Sequence, residues 1–122
     1  MKKIIYQQDE KDCGVACIAM ILKHYGTEIT IQRLRELSGT DLDGTSAFGI
    51  KKTFEKLGFD APAFKAGDET WQEKDIPLPL IAHIISEQKY QHYVVVYKVK
   101  GDEIWIADPA KGKIRKTISE FS

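Results

Sequence analysis

The chain has 122 residues, 43% hydrophobic and 30% charged, with 18 Lys plus Arg balanced by 18 Asp plus Glu. That is the size of a single domain, 1–122, able to bury a core without a metal or disulfide staple. Zero net charge argues against a nucleic-acid surface that relies on bulk positive potential and against a polybasic membrane-surface protein, and the hydrophobic content argues against disorder.

At the N-terminus, Met1-Lys2-Lys3 and Ile4-Ile5-Tyr6 run straight into Gln7-Gln8-Asp9-Glu10-Lys11-Asp12, so no apolar core of a secretory signal follows. The longest mostly apolar stretch, Ile76 to Ile85, contains two prolines and falls far short of the ~20 residues that span a bilayer. The chain by itself reads as soluble, which leaves open that it is one piece of a longer membrane protein.

The first predicted helix covers about Gly14 to Tyr25. Val15, Ala16, Cys17, Ile18, Ala19, Met20, Ile21 and Leu22 make it apolar on every side, the pattern of a central buried helix, with Gly26 as its C-terminal cap. A second spans about Ile31 to Leu37, with Thr30 as N-cap. After a polar loop at Ser38–Gly44, a third runs from about Ser46 to Leu57, capped by Thr45 and stopped by Gly58. Strands are expected at Leu80–Ile85, Tyr93–Val99, Glu103–Ala107 and Lys113–Ile118 from β-branched and aromatic enrichment. The Tyr93–Tyr97 strand is apolar on both faces and so should be central. Helices first and strands second make the fold α+β.

Cys13 stands at the start of the buried helix, where exposed N–H groups and the helix dipole favour a thiolate. Gly14 beside it allows close approach of another segment. Cys17, one turn deeper, reads as core. Helical backbone keeps the two sulfurs from disulfide geometry, which favours a reduced setting, and the spacing lacks the partners of a zinc site. A nucleophilic cysteine needs a base and an orienter. His24 sits a helix length away, His83 lies within a strand, and His92 begins the central strand. A three-residue hairpin loop, Val99-Lys100-Gly101, pairs Lys98 with Asp102, Val96 with Ile104, Val94 with Ile106 and His92 with Asp108. A two-residue loop, Gly101-Asp102, would instead move Asp108 to the opposite face. Pro109 ends the strand after Asp108. Oxyanion donors could come from the Cys13 N–H and from a side-chain amide, for which Gln7 and Gln8 both qualify.

The run Gln7 to Cys17 with Ala19-Met20-Ile21-Leu22, then Gly44-Thr45-Ser46 and the helix to Gly58-Phe59, Pro77-Leu78-Pro79-Leu80-Ile81-Ala82-His83, His92-Tyr93-Val94-Val95-Val96 and Ile106-Ala107-Asp108-Pro109 resembles the N-terminal cysteine-peptidase domains of bacteriocin-processing ABC transporters. The resemblance covers nearly the whole chain. It implies a papain-like α+β fold, N-terminal helices packed on a mostly antiparallel sheet. It implies cleavage of a secreted-peptide precursor after a double-glycine leader, coupled to export. Cys13 becomes the nucleophile, His92 the base, Asp108 the orienter and Gln7 the oxyanion donor, with Gln8 one place off. No cofactor or metal is implied. The implied partners are the precursor and the transmembrane and ATP-binding domains of a transporter, on the cytoplasmic side of the bacterial membrane, with no nucleic acid. Family domains usually run a little beyond a segment like Ile118-Ser119-Glu120-Phe121, so the chain is expected to be an excised domain or a truncated relative. Two rivals stand beside this reading. A non-catalytic module that docks the leader is disfavoured by the intact Cys13, His92 and Asp108. A plain structural domain leaves the His92–Asp108 register unexplained.

Overall fold

The computed structural model describes residues 4–62, 71, 76–85 and 91–121. A 3-10 turn at Glu10–Asp12 leads into α1 (Cys13–His24), followed by α2 (Ile31–Ser38) and α3 (Ala47–Lys56). Strands β1 (Leu80–Ile85), β2 (Gln91–Lys100), β3 (Glu103–Asp108) and β4 (Gly112–Thr117) then form one sheet in the order β1-β2-β3-β4, every pairing antiparallel, and a short α4 (Ile118–Phe121) follows. The expected α+β arrangement of N-terminal helices packed on an antiparallel sheet is present.

α1 has no polar face, and its residues from Cys13 to Leu22 are all buried. Cys17, Ile18, Ile21 and Leu22 share a cluster with Tyr93 and Val95 of β2, Ala107 of β3, Leu34 of α2 and Phe54 of α3. The opposite face of the sheet, carrying Val94, Val96, Ile104 and Ile106, packs with Trp71 and Ile118. β2 is thus covered on both sides, which is why Tyr93 to Val96 are buried without alternation. Gly14 lets α1 lie against the segment after α2: a Cβ there would come 2.9 Å from Thr45 Cβ and 3.5 Å from the Tyr93 ring.

Three local expectations are corrected. The N-cap of α3 is Ser46, whose hydroxyl accepts from Gly49 N–H; Thr45 is buried and shares a hydrogen bond with Thr40 instead. β4 ends at Thr117, because Glu120 takes the Thr117 N–H and the chain turns into α4. The β2–β3 loop is the two-residue form: Lys100 pairs with Glu103 around Gly101 and Asp102, with Gly101 at φ +60, as primed hairpin turns require. Lys98 therefore faces Trp105 and Val96 faces Ile106, not Asp102 and Ile104. A bulge between Val96 and Lys98 inserts Tyr97 as an unpaired residue and returns every later position to its original face. The shorter loop thus leaves Asp108 on the side of Val94 and Ile106. Continuing from Val95↔Ala107, Asp108 is level with Val94, and His92 reaches it diagonally rather than straight across.

Candidate active site

Cys13 is the first residue of α1, held by the turn at Glu10–Asp12, and is 8% exposed. His92 stands near the start of β2, paired with Ile84 of β1, and Asp108 closes β3. His92 Nε2 lies 2.8 Å from Asp108 Oδ1, which leaves Nδ1 as the ring nitrogen for the hydrogen bond with Cys13. The same carboxylate oxygen accepts from the N–H groups of Ala110, at 2.8 Å, and Lys111, at 3.3 Å. Pro109 cannot extend the ladder, so the chain turns there, and those two donors hold Asp108 in place at 4% exposure.

The electrostatics follow from this geometry. Hydrogen bonds to Asp108 and Cys13 and the charges of both, working against burial, push His92 up to about 9. Burial pushes the Cys13 thiol up, but bonds from His92 and from the Tyr93 and Gly14 N–H groups, with the His92 charge, carry it below its ordinary value. Burial also opposes ionisation of Asp108, and the His92, Ala110 and Lys111 donors outweigh it, holding this carboxyl below its usual range. Each of the three groups is thereby shifted toward its charged form, thiolate, imidazolium and carboxylate in a row.

The two glutamines separate clearly. Gln7 is half-buried; its backbone N–H donates to Pro109 O at 3.0 Å, which ties it beside Asp108, and its Nε2 donates to Asp9 O at 3.1 Å. Gln7 Oε1 is buried with no partner among the described residues. Gln8 is exposed, and its Oε1 accepts from Arg35. His24 is exposed at the far end of α1 beside Tyr25, and His83 stacks on Tyr93 with ring centroids 4.5 Å apart. Neither joins the group.

Sequence reasoning missed the pairing of Asp12 with Arg35 and the contact of Thr45 with Gly14. The acidic Asp12 beside the cysteine was visible, but a partner 23 residues away has no local signal. Among the described residues no group of three or more His, Cys, Asp or Glu could hold a metal ion, and no helix is long and apolar enough to cross a membrane.

A model of the Peptidase C39 family matches residues 1–122. The mesentericin-Y105 transport/processing ATP-binding protein MesD of Leuconostoc mesenteroides is 48% identical over 125 residues, covering 99% of this chain and 17% of that protein. The lactococcin-A transport/processing ATP-binding protein LcnC of Lactococcus lactis is 46% identical over 108 residues, covering 88% of this chain and 15% of that one. The chain therefore spans only about a sixth of the length of these relatives. The crystal structure of the peptidase domain of Streptococcus ComA, a bi-functional ABC transporter involved in a quorum sensing pathway, superimposes with a TM-score of 0.92 at 37% identity, covering 99% of this chain and 90% of that one. A double glycine motif protease from an AMS/PCAT transporter, solved in complex with the leader peptide, gives a TM-score of 0.88 at 29% identity, covering 98% of this chain and 81% of that one.

Proposed function

The chain belongs to the peptidase C39 family, a family of cysteine peptidases, and from that premise we propose that it removes the leader of a peptide precursor by cutting after a double glycine. The relatives are named for transport and processing, and one structural neighbour is a double glycine motif protease holding a leader peptide. The cargo class is a bacteriocin or similar secreted peptide. The working context is an ABC transporter whose transmembrane and ATP-binding domains are the partners, with cleavage on the cytoplasmic side of the membrane.

The observation that carries the reading is the row Cys13, His92, Asp108 at the junction of a helix start and two strand ends, with a 2.8 Å bond between imidazole and carboxylate. Cys13 is the nucleophile. Its thiolate attacks the carbonyl carbon of the second glycine, and the carbonyl electron pair moves onto oxygen. The Cys13 N–H and Gln7 Nε2 receive that oxyanion; the bond from Nε2 to Asp9 O uses one of the two amide hydrogens, and the other is the one assigned to the oxyanion. His92 gives its proton to the departing amine as the carbon–nitrogen bond breaks, leaving a thioester. Water then attacks, its proton passes to His92, and the carbon–sulfur bond breaks to free the leader acid and the thiolate. Asp108 holds the ring orientation and balances its charge throughout. The reaction calls on side chains and backbone amides alone.

Incubation with a synthetic precursor carrying a Gly-Gly leader, read by mass spectrometry, tests this. The expected products end and begin at the bond after the second glycine, and alanine at that glycine stops cleavage. A precursor that binds and stays intact would make the chain a docking module instead.

A further inference from the structure

The turn at residues 8–12 joins the two groups to which the oxyanion is assigned, with Gln7 just before it and Cys13 just after it. From outside, a single guanidinium grips both ends of that turn. Arg35 Nη2 donates to Gln8 Oε1 at 3.3 Å, Nε donates to Asp12 Oδ1 at 2.9 Å, and Nη2 also reaches Asp12 Oδ2. Inside the turn, Asp9 O accepts from both Asp12 N–H, at 3.0 Å, and Gln7 Nε2, at 3.1 Å. The Asp9 carboxylate accepts from Lys11 N–H. Asp12 is fully buried at the N-cap position of α1, yet its side chain makes no capping bond to the helix. Its carboxylate faces Arg35, so the position serves the link to α2 rather than the helix end. α2 in turn is a firm base, capped by Thr30 and anchored by the fully buried Leu34 next to Arg35.

We infer that Arg35 is a positioning residue for the peptidase reaction, its guanidinium bridging Gln8 and Asp12 so that Gln7 Nε2 and the Cys13 N–H stay at the separation one oxyanion needs. The inference rests on the oxyanion role proposed for Gln7. Oxyanion donors work within a narrow range of distance, ~2.7–3.1 Å, so a looser turn weakens turnover without touching the reacting atoms. A guanidinium suits the task because its planar fork holds two acceptors at once, whereas an ammonium is a point charge that cannot keep both in the same geometry.

Arg35→Lys is the test, because it leaves a cation beside the buried Asp12. With a synthetic Gly-Gly leader peptide as substrate, kcat should fall about tenfold or more while KM changes little. Alkylation of Cys13 by iodoacetamide should keep its rate, since attack on a saturated carbon develops no oxyanion. In a Gln7→Ala background the same Arg35→Lys change should cost almost nothing further. Asp12→Asn with Arg35→Gln, which buries no unpaired charge, provides a second variant judged by the same criteria if the lysine variant melts below the assay temperature. An equal loss of kcat with Gln7 present and absent, a loss carried by KM, or unchanged kcat would overturn the positioning role and leave Gln7 untouched. A Gln7→Ala variant with the kcat of the unaltered chain would overturn the oxyanion reading itself, and the role of Arg35 with it.

Discussion

The first and second turns of α1 each carry a cysteine, and the two thiols are driven in opposite directions. Cys13, 8% exposed, receives hydrogen bonds from His92 and from the Tyr93 and Gly14 N–H groups, and is carried below the ordinary thiol range. Cys17 is fully buried; burial pushes its thiol well up, and the nearby charges of Cys13 and Asp108 push it further. Identical chemistry one turn apart is shifted toward the thiolate in one case and toward the neutral buried thiol in the other. What separates them is access to donors: the helix end leaves N–H groups unpaired and abuts two strand ends, while Cys17 in the second turn sits within the hydrophobic core cluster.

The largest effect that could break this contrast is at Cys13 itself. Cys13→Ala should abolish cleavage while the melting curve and leader binding stay near those of the unaltered chain. Cleavage that survives there and vanishes in Cys17→Ala would invert the assignment.

Removing the base comes next. His92→Ala should lower kcat by ~10²–10⁴, and more than Asp108→Ala does, because in the proposed mechanism His92 moves the proton and Asp108 only orients the ring. The double variant should lose far less than the product of the two single losses, since an orienter without a base has nothing to orient. Asp108→Asn should be milder than Asp108→Ala, which also strips the acceptor from the Ala110 and Lys111 N–H groups and should lower stability by about 2 kcal/mol in chemical denaturation. Single losses that multiply in full would mean the two residues act independently, and the triad would have to be abandoned.

Gln7→Ala should reduce kcat by ~10²–10³ with little change in affinity, whereas Gln8→Ala should be mild. A raised KM with unchanged kcat would move Gln7 to substrate binding.

The pH profile sharpens the contrast without any substitution. The reactive state needs Cys13 deprotonated and His92 protonated. Cys13 ionises below its ordinary value, so the acid limb of kcat/KM lies below the usual thiol range; His92 holds its proton up to about 9, so the alkaline limb falls there. For folding, the sign is that of a raised base: the stabilisation from the His92–Asp108 bond is fully present below pH 6.5, the ordinary histidine value, and is lost as pH rises through about 9. Asp108→Asn should draw the alkaline limb of kcat/KM downward. A limb that does not move would separate His92 from Asp108 as a pair.

The smallest expected change is Cys17→Ala, with near-normal cleavage and a loss of stability of about 1 kcal/mol for the buried sulfur.

By itself the sequence determined the layer order and the burial of α1 and β2. Those follow from periodicity: an all-apolar helix and an unalternating strand have nowhere to go but the interior, and two-residue alternation assigns faces along each strand. The tertiary structure decided the register. The loop is one residue shorter than expected and Tyr97 bulges from β2, two one-residue changes that cancel in which face each side chain takes but not in which residues stand opposite. His92 therefore meets Asp108 diagonally, reaching along its strand to a carboxylate held by the Ala110 and Lys111 N–H groups. Thr45 lost the cap of α3 to Ser46 because the close approach of α1 at Gly14 buries its side chain. Arg35 and Asp12 meet only because α2 folds back on the start of α1. Loop length, bulges and contacts between distant segments depend on how whole elements pack, and no window of neighbouring residues carries that information.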